Sequence, residues 1–178
     1  MALNAFKKYQ TLTAEVDRLC RSIRQSYGEH IACKKGCAGN CCQRHITVFP
    51  IEAVSFAAAL QKLPEDMIHR IRQKARSSTT FGPCPLLEEG ACLMYDSRAI
   101  ICRTHGLPIL NRYRGTRAIG FCQHNFKHMS AFPDDALIKL APLNNTLTSI
   151  NRQFLEETTA IWSYCDRLTI GEALLLDV

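Results

Sequence analysis

The stretch CKKGCAGNCC, residues 33–42, places four cysteines within ten residues, and four more cysteines follow it in the next eighty. Zinc ions and iron-sulfur clusters are both held by thiolates that converge from separate parts of a chain. We therefore interpret eight cysteines as candidate metal ligands: Cys33, Cys37, Cys41, Cys42, Cys84, Cys92, Cys102 and Cys122.

The even total of ten cysteines also permits a disulfide framework. The segment around Lys7, Lys8 and Glu15 is charged, however, and it has no apolar stretch of the length that a secretory signal needs. We therefore expect a cytoplasmic protein, and in a reducing compartment clustered cysteines are more often metal-binding or catalytic. No run approaches the roughly 18 apolar residues of a membrane span, so we expect no membrane association.

The charge balance gives a formal net charge of +6. A basic excess can indicate a nucleic-acid or acidic partner. A divalent ion held by four thiolates carries about −2, so two such sites would leave a net charge of only about +2. Most of the basic excess is then the counter-charge of the metal centre, and specific nucleic-acid binding is not expected.

Apolar residues recur at steps of three and four in the segment 5–28, which predicts an amphipathic helix. The predicted buried stripe is Phe6, Tyr9, Leu12, Val16, Leu19, Ile23 and Tyr27. Cys20 lies beside this stripe and is interpreted as a small core residue, not as a ligand.

Further helices are predicted over 51–63, with Pro50 in the first turn, and over 64–76. A C-terminal helical segment, 134–178, has a helix marked by Leu143, Leu147, Ile150 and Phe154 that continues toward Trp162, and a last helix capped by Thr169. Cys165 is expected to serve packing there. Short extended pieces are predicted at 93–95 and 118–121.

The cysteine-rich region, 33–125, is predicted to be irregular. Glycines interrupt CKKGCAGNCC, and a glycine-containing loop can wrap sulfurs around one centre. Cys84 stands between two prolines that favour extended backbone, and Gly90 provides a turn before Cys92, so these two cysteines are expected to form a knuckle. The predicted fold is thus mainly α: a small single domain, 1–178, with helices at both ends around an irregular metal-binding middle.

The identity of the metal is left open by the residues. Structural zinc sites usually contain short-spaced ligand pairs, and Cys33 with Cys37 is one such pair. Cubane clusters often take several ligands from one loop and another from a remote cysteine, a pattern that CKKGCAGNCC fits better. We expect an iron-sulfur cluster, with 4Fe-4S as the candidate type, or zinc as the alternative, in one or two centres. Nearby histidines at His45, His105 and His124 are interpreted as surface residues or as partners of the ligands.

Four strings carry a resemblance to a known family: CKKGCAGNCC, CPLLEEGACLMYDSRAIICRTHGLPI, FCQHNF and LNNTLTSINRQF, spread between Cys33 and Phe154. They resemble the YkgJ-like cysteine cluster family, also described as CxxCxxCC proteins or zinc- or iron-chelating domains. The resemblance implies metal chelation, and a related motif in flagellin lysine methylases implies an iron-sulfur cluster.

The chain departs from the family pattern at two places. Three residues, 38–40, separate Cys37 from the pair Cys41 and Cys42 where two are usual, which leaves open which member of the pair binds metal. Ala99 stands where a proline is usual.

Three functions remain open on the sequence. The first is a metal-binding module with a structural, redox or sensing role, with or without a protein partner. The second is a metal- or cluster-dependent enzyme, an oxidoreductase or a protein-modifying accessory, in which His105, Arg103 and Tyr95 serve as acid, anchor and donor. The third is a nucleic-acid-binding protein. No phosphate-binding loop or metalloprotease motif supports the enzyme, so the module ranks first.

Overall fold

A computed structural model of the chain describes residues 3–32, 42–43, 46–79, 82–113, 115–158 and 166–177. Within these ranges the regular structure is mainly helical, as predicted. The helices are α1 Leu3–Ser26, α2 Pro50–Leu60, α3 Glu65–Arg76, α4 Ile100–Thr104, α5 Leu140–Thr158 and α6 Ile170–Leu174.

Helix α1 buries one stripe of side chains against the rest of the protein. The buried members recur at steps of three and four: Ala5, Tyr9, Leu12, Val16, Cys20 and Ile23. The prediction that Leu19 belongs to the stripe is wrong, since Leu19 is 38% exposed and Cys20 only 6%. A step of four from Val16 reaches Cys20, whose thiol lies 3.7 Å from the carbonyl oxygen of Arg103.

Helices α2 and α3 confirm their predictions. Pro50 is the first residue of α2, where its missing N–H costs nothing. The Glu52 carboxylate accepts a hydrogen bond from the backbone N–H of Phe49 at 3.1 Å, which satisfies a donor at the start of the helix. In α3, Ile71 and Ala75 are buried.

The C-terminal helices follow the predicted pattern with one change of length. In α5, Leu147, Ile150 and Phe154 are buried, while its predicted continuation toward Trp162, and Cys165, lie outside the described residues. Thr169 caps α6: its hydroxyl oxygen accepts from the Glu172 N–H at 3.0 Å, and the Glu172 carboxylate accepts from the Thr169 N–H at 2.7 Å. The helix ends at Leu174, short of the predicted end.

Seven short strands occur in the described ranges: β1 Thr47–Val48, β2 Leu87–Glu88, β3 Ala91–Cys92, β4 Ile109–Tyr113, β5 Thr116–Gly120, β6 Ile138–Lys139 and β7 Leu168–Thr169. They form the antiparallel pairs β1–β7 and β2–β3 and a three-stranded sheet of order β5-β4-β6. The predicted extended piece at 93–95 is wrong, because the strand ends at Cys92 and a 3-10 turn begins at Tyr95. The piece at 118–121 overlaps β5.

Two groups of buried side chains form the interior. The first core is built by α1 and α5 with Ile51 of α2, and the second core by α2, α3 and α6. Helix α2 contributes Phe56 to the second core, so one helix joins both cores into a small single domain. The cysteine-rich middle is less irregular than predicted, because Cys102 lies on α4. Among the described residues, no helix is both long and apolar enough to cross a membrane.

Candidate metal centre

Four of the candidate ligands lie close enough to influence one another. Burial and, to a smaller extent, the neighbouring Cys84, Cys92 and Cys42 together raise the pKa of the Cys102 thiol to about 12, because each neighbour would place a second negative charge nearby. These four cysteines come from three separate stretches of the chain. The structure therefore places half of the predicted ligand set in one region of the described chain.

The end of CKKGCAGNCC is joined to the second cysteine segment through the backbone. The N–H of Cys84 donates to the carbonyl oxygen of Cys42 at 2.8 Å. This bond holds Cys42 beside the proline-flanked cysteine irrespective of any metal. The predicted ligands Cys33, Cys37 and Cys41, and His45, lie outside the described residues.

Cys84 and Cys92 lie on the two sides of a tight hairpin, as the predicted knuckle requires. Strands β2 and β3 pair Leu87 with Cys92, and the connecting residues Glu89 and Gly90 have φ of 47° and 78°. Positive φ at both central positions is the geometry of the type I′ turn, which favours glycine at the second position. The turn reverses the chain and brings Cys92 back toward Cys84.

The surroundings of Cys84 contain groups that favour its thiolate. Burial raises the pKa of Cys84 to about 11, but hydrogen bonds from the backbone N–H groups of Leu86 and Leu87, and the ammonium of Lys74, act in the opposite direction. The Lys74 ammonium is fixed nearby by a 2.6 Å hydrogen bond to the Leu87 carbonyl oxygen. The two N–H groups and the Lys74 ammonium therefore favour a thiolate at Cys84, although without a metal the raised pKa keeps this thiol protonated.

Cys102 is positioned by contacts that hold α4 at its N-terminus and along its backbone. The buried Glu52 carboxylate accepts from the Ile100 N–H at 3.0 Å, so α2 fixes the first turn of α4. Arg98 donates to the carbonyl oxygen of Cys102 at 3.2 Å and lies 3.6 Å above the Tyr95 ring. Burial raises the pKa of Glu52, and its two backbone donors oppose that rise.

Arg103, the predicted anchor of the enzyme hypothesis, is engaged within the protein. It is 8% exposed, and one guanidinium nitrogen donates to both carboxylate oxygens of Asp17 at 2.8 and 2.7 Å. Its other nitrogens donate to the carbonyl oxygens of Arg98 and Asp96, both at 2.6 Å. These bonds connect α1, α4 and the preceding turn, which gives Arg103 a structural task.

Cys122 is anchored by a second set of contacts. Its N–H donates to the carbonyl oxygen of Gly106 at 3.4 Å. The fully buried Asn125 donates to the same carbonyl oxygen at 2.7 Å, and its side-chain oxygen accepts from the N–H of Ala32 at 3.0 Å. Asn125 therefore fastens the residue that precedes Cys33 to the loop that contains Cys122. Sequence reasoning missed Asn125, whose one signal is its position three residues after Cys122.

The structure also describes two of the predicted histidines and the state of the cysteines. His105 and His124 are exposed, and partial burial lowers the pKa of His105. Cys20, Cys84, Cys102 and Cys122 are present as thiols. Within the described parts of the chain, no group of three or more His, Cys, Asp or Glu side chains is arranged so that it could hold a metal ion, and this includes the four neighbouring cysteines.

Comparison with known proteins identifies a family to which the sequence is similar. No curated protein and no solved structure matches the chain significantly. Residues 32–123, just over half of the sequence, match the family CxxCxxCC, whose description reads "Putative zinc- or iron-chelating domain". The matched range includes the four neighbouring thiols and the loop of Cys122, and this chain therefore belongs to the CxxCxxCC family of zinc- or iron-chelating domains.

Proposed function

We propose that this protein is a metal-chelating module in which Cys42, Cys84, Cys92 and Cys102 are ligands of one zinc or iron centre. The observation that carries the proposal is that four thiols from three chain segments lie in one region, near enough for three of them to raise the pKa of Cys102. Sulfur ligands gathered from distant segments are typical of sites in which the metal holds the segments together.

The chemistry of the four residues fits a soft cation. A buried thiolate is costly by itself, which is why burial raises the pKa of Cys84 and Cys102. A bound cation supplies the positive charge that offsets this cost, and it binds cysteine sulfur in the thiolate form. The backbone N–H groups of Leu86 and Leu87 already point hydrogen-bond donors at Cys84. Such bonds to a metal-bound sulfur orient the ligand and tune its electron donation.

A second group of ligands is proposed around Cys122. Asn125 ties Ala32 to the loop that contains Cys122, and adjacent residues along a chain are only about 3.8 Å apart between Cα atoms. We propose Cys33, Cys37 and Cys41, from the same sequence motif as Cys42, as the further ligands that join Cys122. Eight cysteines divided in this way allow two centres.

The role that we propose is structural, redox or sensing. Arg103 is engaged in bonds to Asp17, Asp96 and Arg98, and the Tyr95 ring is covered by the Arg98 guanidinium. These contacts hold α4 and Cys102 in position. They support a metal-binding module in which these polar side chains position a proposed ligand.

Metal analysis of anaerobically purified protein tests the proposal. Iron together with acid-labile sulfide and broad absorption in the visible range identifies an iron-sulfur cluster, which the pattern of CKKGCAGNCC favours. Zinc in a colourless protein identifies the alternative. Protein that retains neither metal after anaerobic purification and reconstitution contradicts chelation.

Substitution separates ligands from other cysteines. We expect Cys84→Ala and Cys102→Ala to lose metal, because each removes one of four converging sulfurs. The control is Cys20→Ala, which truncates a buried cysteine of α1 that points to the Arg103 carbonyl oxygen. The control should retain metal and lose about 1–2 kcal/mol of unfolding free energy. Equal metal loss in the control would show that the ligand assignment is wrong.

A further inference from the structure

The hairpin of β4 and β5 extends beyond the sheet to which it belongs. Strand β6 pairs only with Ile109 and Leu110 of β4, so the remainder of β4 pairs with β5 alone. Side chains along this two-stranded ribbon are exposed, including Asn111, Arg112 and Arg117. A two-stranded ribbon without a covering layer is marginally stable in water.

Strand β5 lies at the edge of the sheet in the described part of the chain. The outer side of an edge strand presents backbone N–H and C=O groups that can pair with another extended segment. Four of the five residues of β5 are exposed, with Ile119 partly buried. The strand therefore has both the open backbone and the access that strand addition requires.

The charges of the ribbon define which segment fits. Arg112 and Arg117 are directly opposite each other in the register, so their side chains share one face. Leu110 lies two residues before Arg112 and pairs with Lys139, which places a third cation on the same face. The ion pair of Arg117 with Asp134 is long, at 3.8 Å, and the Asp134 side chain is 79% exposed. A contact of this kind stabilises little, so the face keeps its positive charge.

We propose that the open edge of β5 binds an extended acidic segment of a partner protein as an added strand. Acidic residues at alternate positions of that segment would lie beside Arg117, on the face that also carries Arg112 one strand further in, because side chains alternate between the two faces of a sheet. An acidic partner fits this edge better than a second copy of this chain, since a second copy would bring further arginines to the same positive face. This inference concerns a surface outside the four-thiol site and stands apart from the proposed function.

Binding of a short peptide to the purified protein tests the inference. The probe is a fluorescein-labelled peptide of sequence Glu-Val-Glu-Val-Glu-Val, measured by anisotropy, and the control peptide replaces every Glu with Lys. We expect the acidic peptide alone to bind. Binding should slow amide hydrogen exchange in residues 116–120. N-methylation of the peptide amides that point toward β5 should abolish binding, whereas N-methylation of the intervening amides should not.

Charge reversal on the protein gives the matched comparison. Arg117→Glu should weaken binding of the acidic peptide at least about tenfold and should favour the basic peptide. Arg76→Glu makes the same change on an exposed residue of α3 and should leave binding unchanged. Failure of the acidic peptide to bind, or an equal effect of the two substitutions, overturns the inference. Tighter, salt-sensitive binding of an eight-nucleotide uridine RNA at the same residues also overturns it, in favour of a nucleic-acid surface.

Discussion

Single side chains decide how the segment around Cys102 is held, and Arg103 is the clearest example. Its guanidinium makes a bidentate bond with Asp17 and two further bonds to the backbone carbonyl oxygens of Arg98 and Asp96. A planar fork of donors can serve all these acceptors simultaneously, whereas the ammonium of lysine acts as a single point charge. The residue is therefore specified by the geometry of its donors as well as by its charge.

We expect Arg103→Lys to destabilise the protein although the charge is kept. The carbonyl oxygens of Arg98 and Asp96 would lose the donors of two partly buried, charge-assisted bonds, which should lower the unfolding free energy on the order of 2 kcal/mol. Urea denaturation checks this, with the exposed Arg76→Lys on α3 as the control, expected to change stability by less than about 0.5 kcal/mol. Similar values for the two variants would mean that the donor fork is unimportant.

The buried thiols predict the pH dependence of the metal-free protein. Folding raises the pKa of Cys84 and Cys102 from 9.0 to about 11 and about 12. Below pH 9 both thiols are protonated in the folded and unfolded states, and their contribution to stability is fully present. As pH rises further, the unfolded chain releases protons that the folded chain keeps, so stability falls until the pH passes the folded pKa.

We expect metal-free, reduced protein to lose unfolding free energy above pH 9 by up to about 1.4 kcal/mol per pH unit for each of the two thiols. Denaturation curves at several pH values measure this slope. Cys102→Ser should have a shallower slope, because a hydroxyl group does not titrate in this range. An identical slope in the variant and the parent protein would show that Cys102 is not a buried thiol.

At the scale of elements, the sequence predicts those helices whose apolar residues repeat over several turns. Helices α1, α2, α3 and α5 have that repeat, and α6 has a threonine cap with a glutamate three residues later. Helix α4 has only five residues and no period to read, and tertiary contacts from Glu52 and Arg103 hold it in place. From Val16, a step of three reaches Leu19 and a step of four reaches Cys20, and both steps stay on one face of a helix. Which of the two is buried depends on the elements packed against α1, and the sequence of α1 does not contain that information.

The candidate site was predictable to a similar extent. Cysteine spacing predicts the candidate ligands, and Gly90 predicts the turn between Cys84 and Cys92 that the structure contains. Asn125 could not be identified in this way, because its role depends on Ala32 and Gly106, which are distant in sequence. The β4–β5 hairpin was largely missed because its polar and apolar residues do not alternate regularly.

The hairpin gives a prediction of its own. Like charges directly opposite each other across two strands are destabilising, so Arg112→Glu should raise the unfolding free energy by about 0.2–1 kcal/mol in the presence of Arg117. In an Arg117→Glu background the same substitution should lower it, since two carboxylates would then face each other. A double-mutant cycle by urea denaturation measures this coupling, and additive effects would contradict the cross-strand pairing.

At the scale of the whole molecule, the candidate ligands are distributed unequally between the two cores. Cys84, Cys92 and Cys102 are partly buried against the second core. The first core, built largely by α1 and α5, has Cys20 as its cysteine among the described residues. Helix α2 contributes to both cores, so in the described part of the chain that helix and the contacts of α4 connect the second core to the first.

Metal removal should therefore loosen the two cores to different extents. Structural metal binding can contribute on the order of 10 kcal/mol to folding, and the four proposed ligands come from three separate segments of the chain. We expect anaerobic chelation to accelerate hydrogen exchange in the β2–β3 hairpin, α4 and α3, while amides of α1 and α5 keep most of their protection. Cys20→Ala, treated in the same way, should show the same pattern. If chelation leaves exchange unchanged in the second core, or exposes α1 first, the metal does not organise this part of the fold.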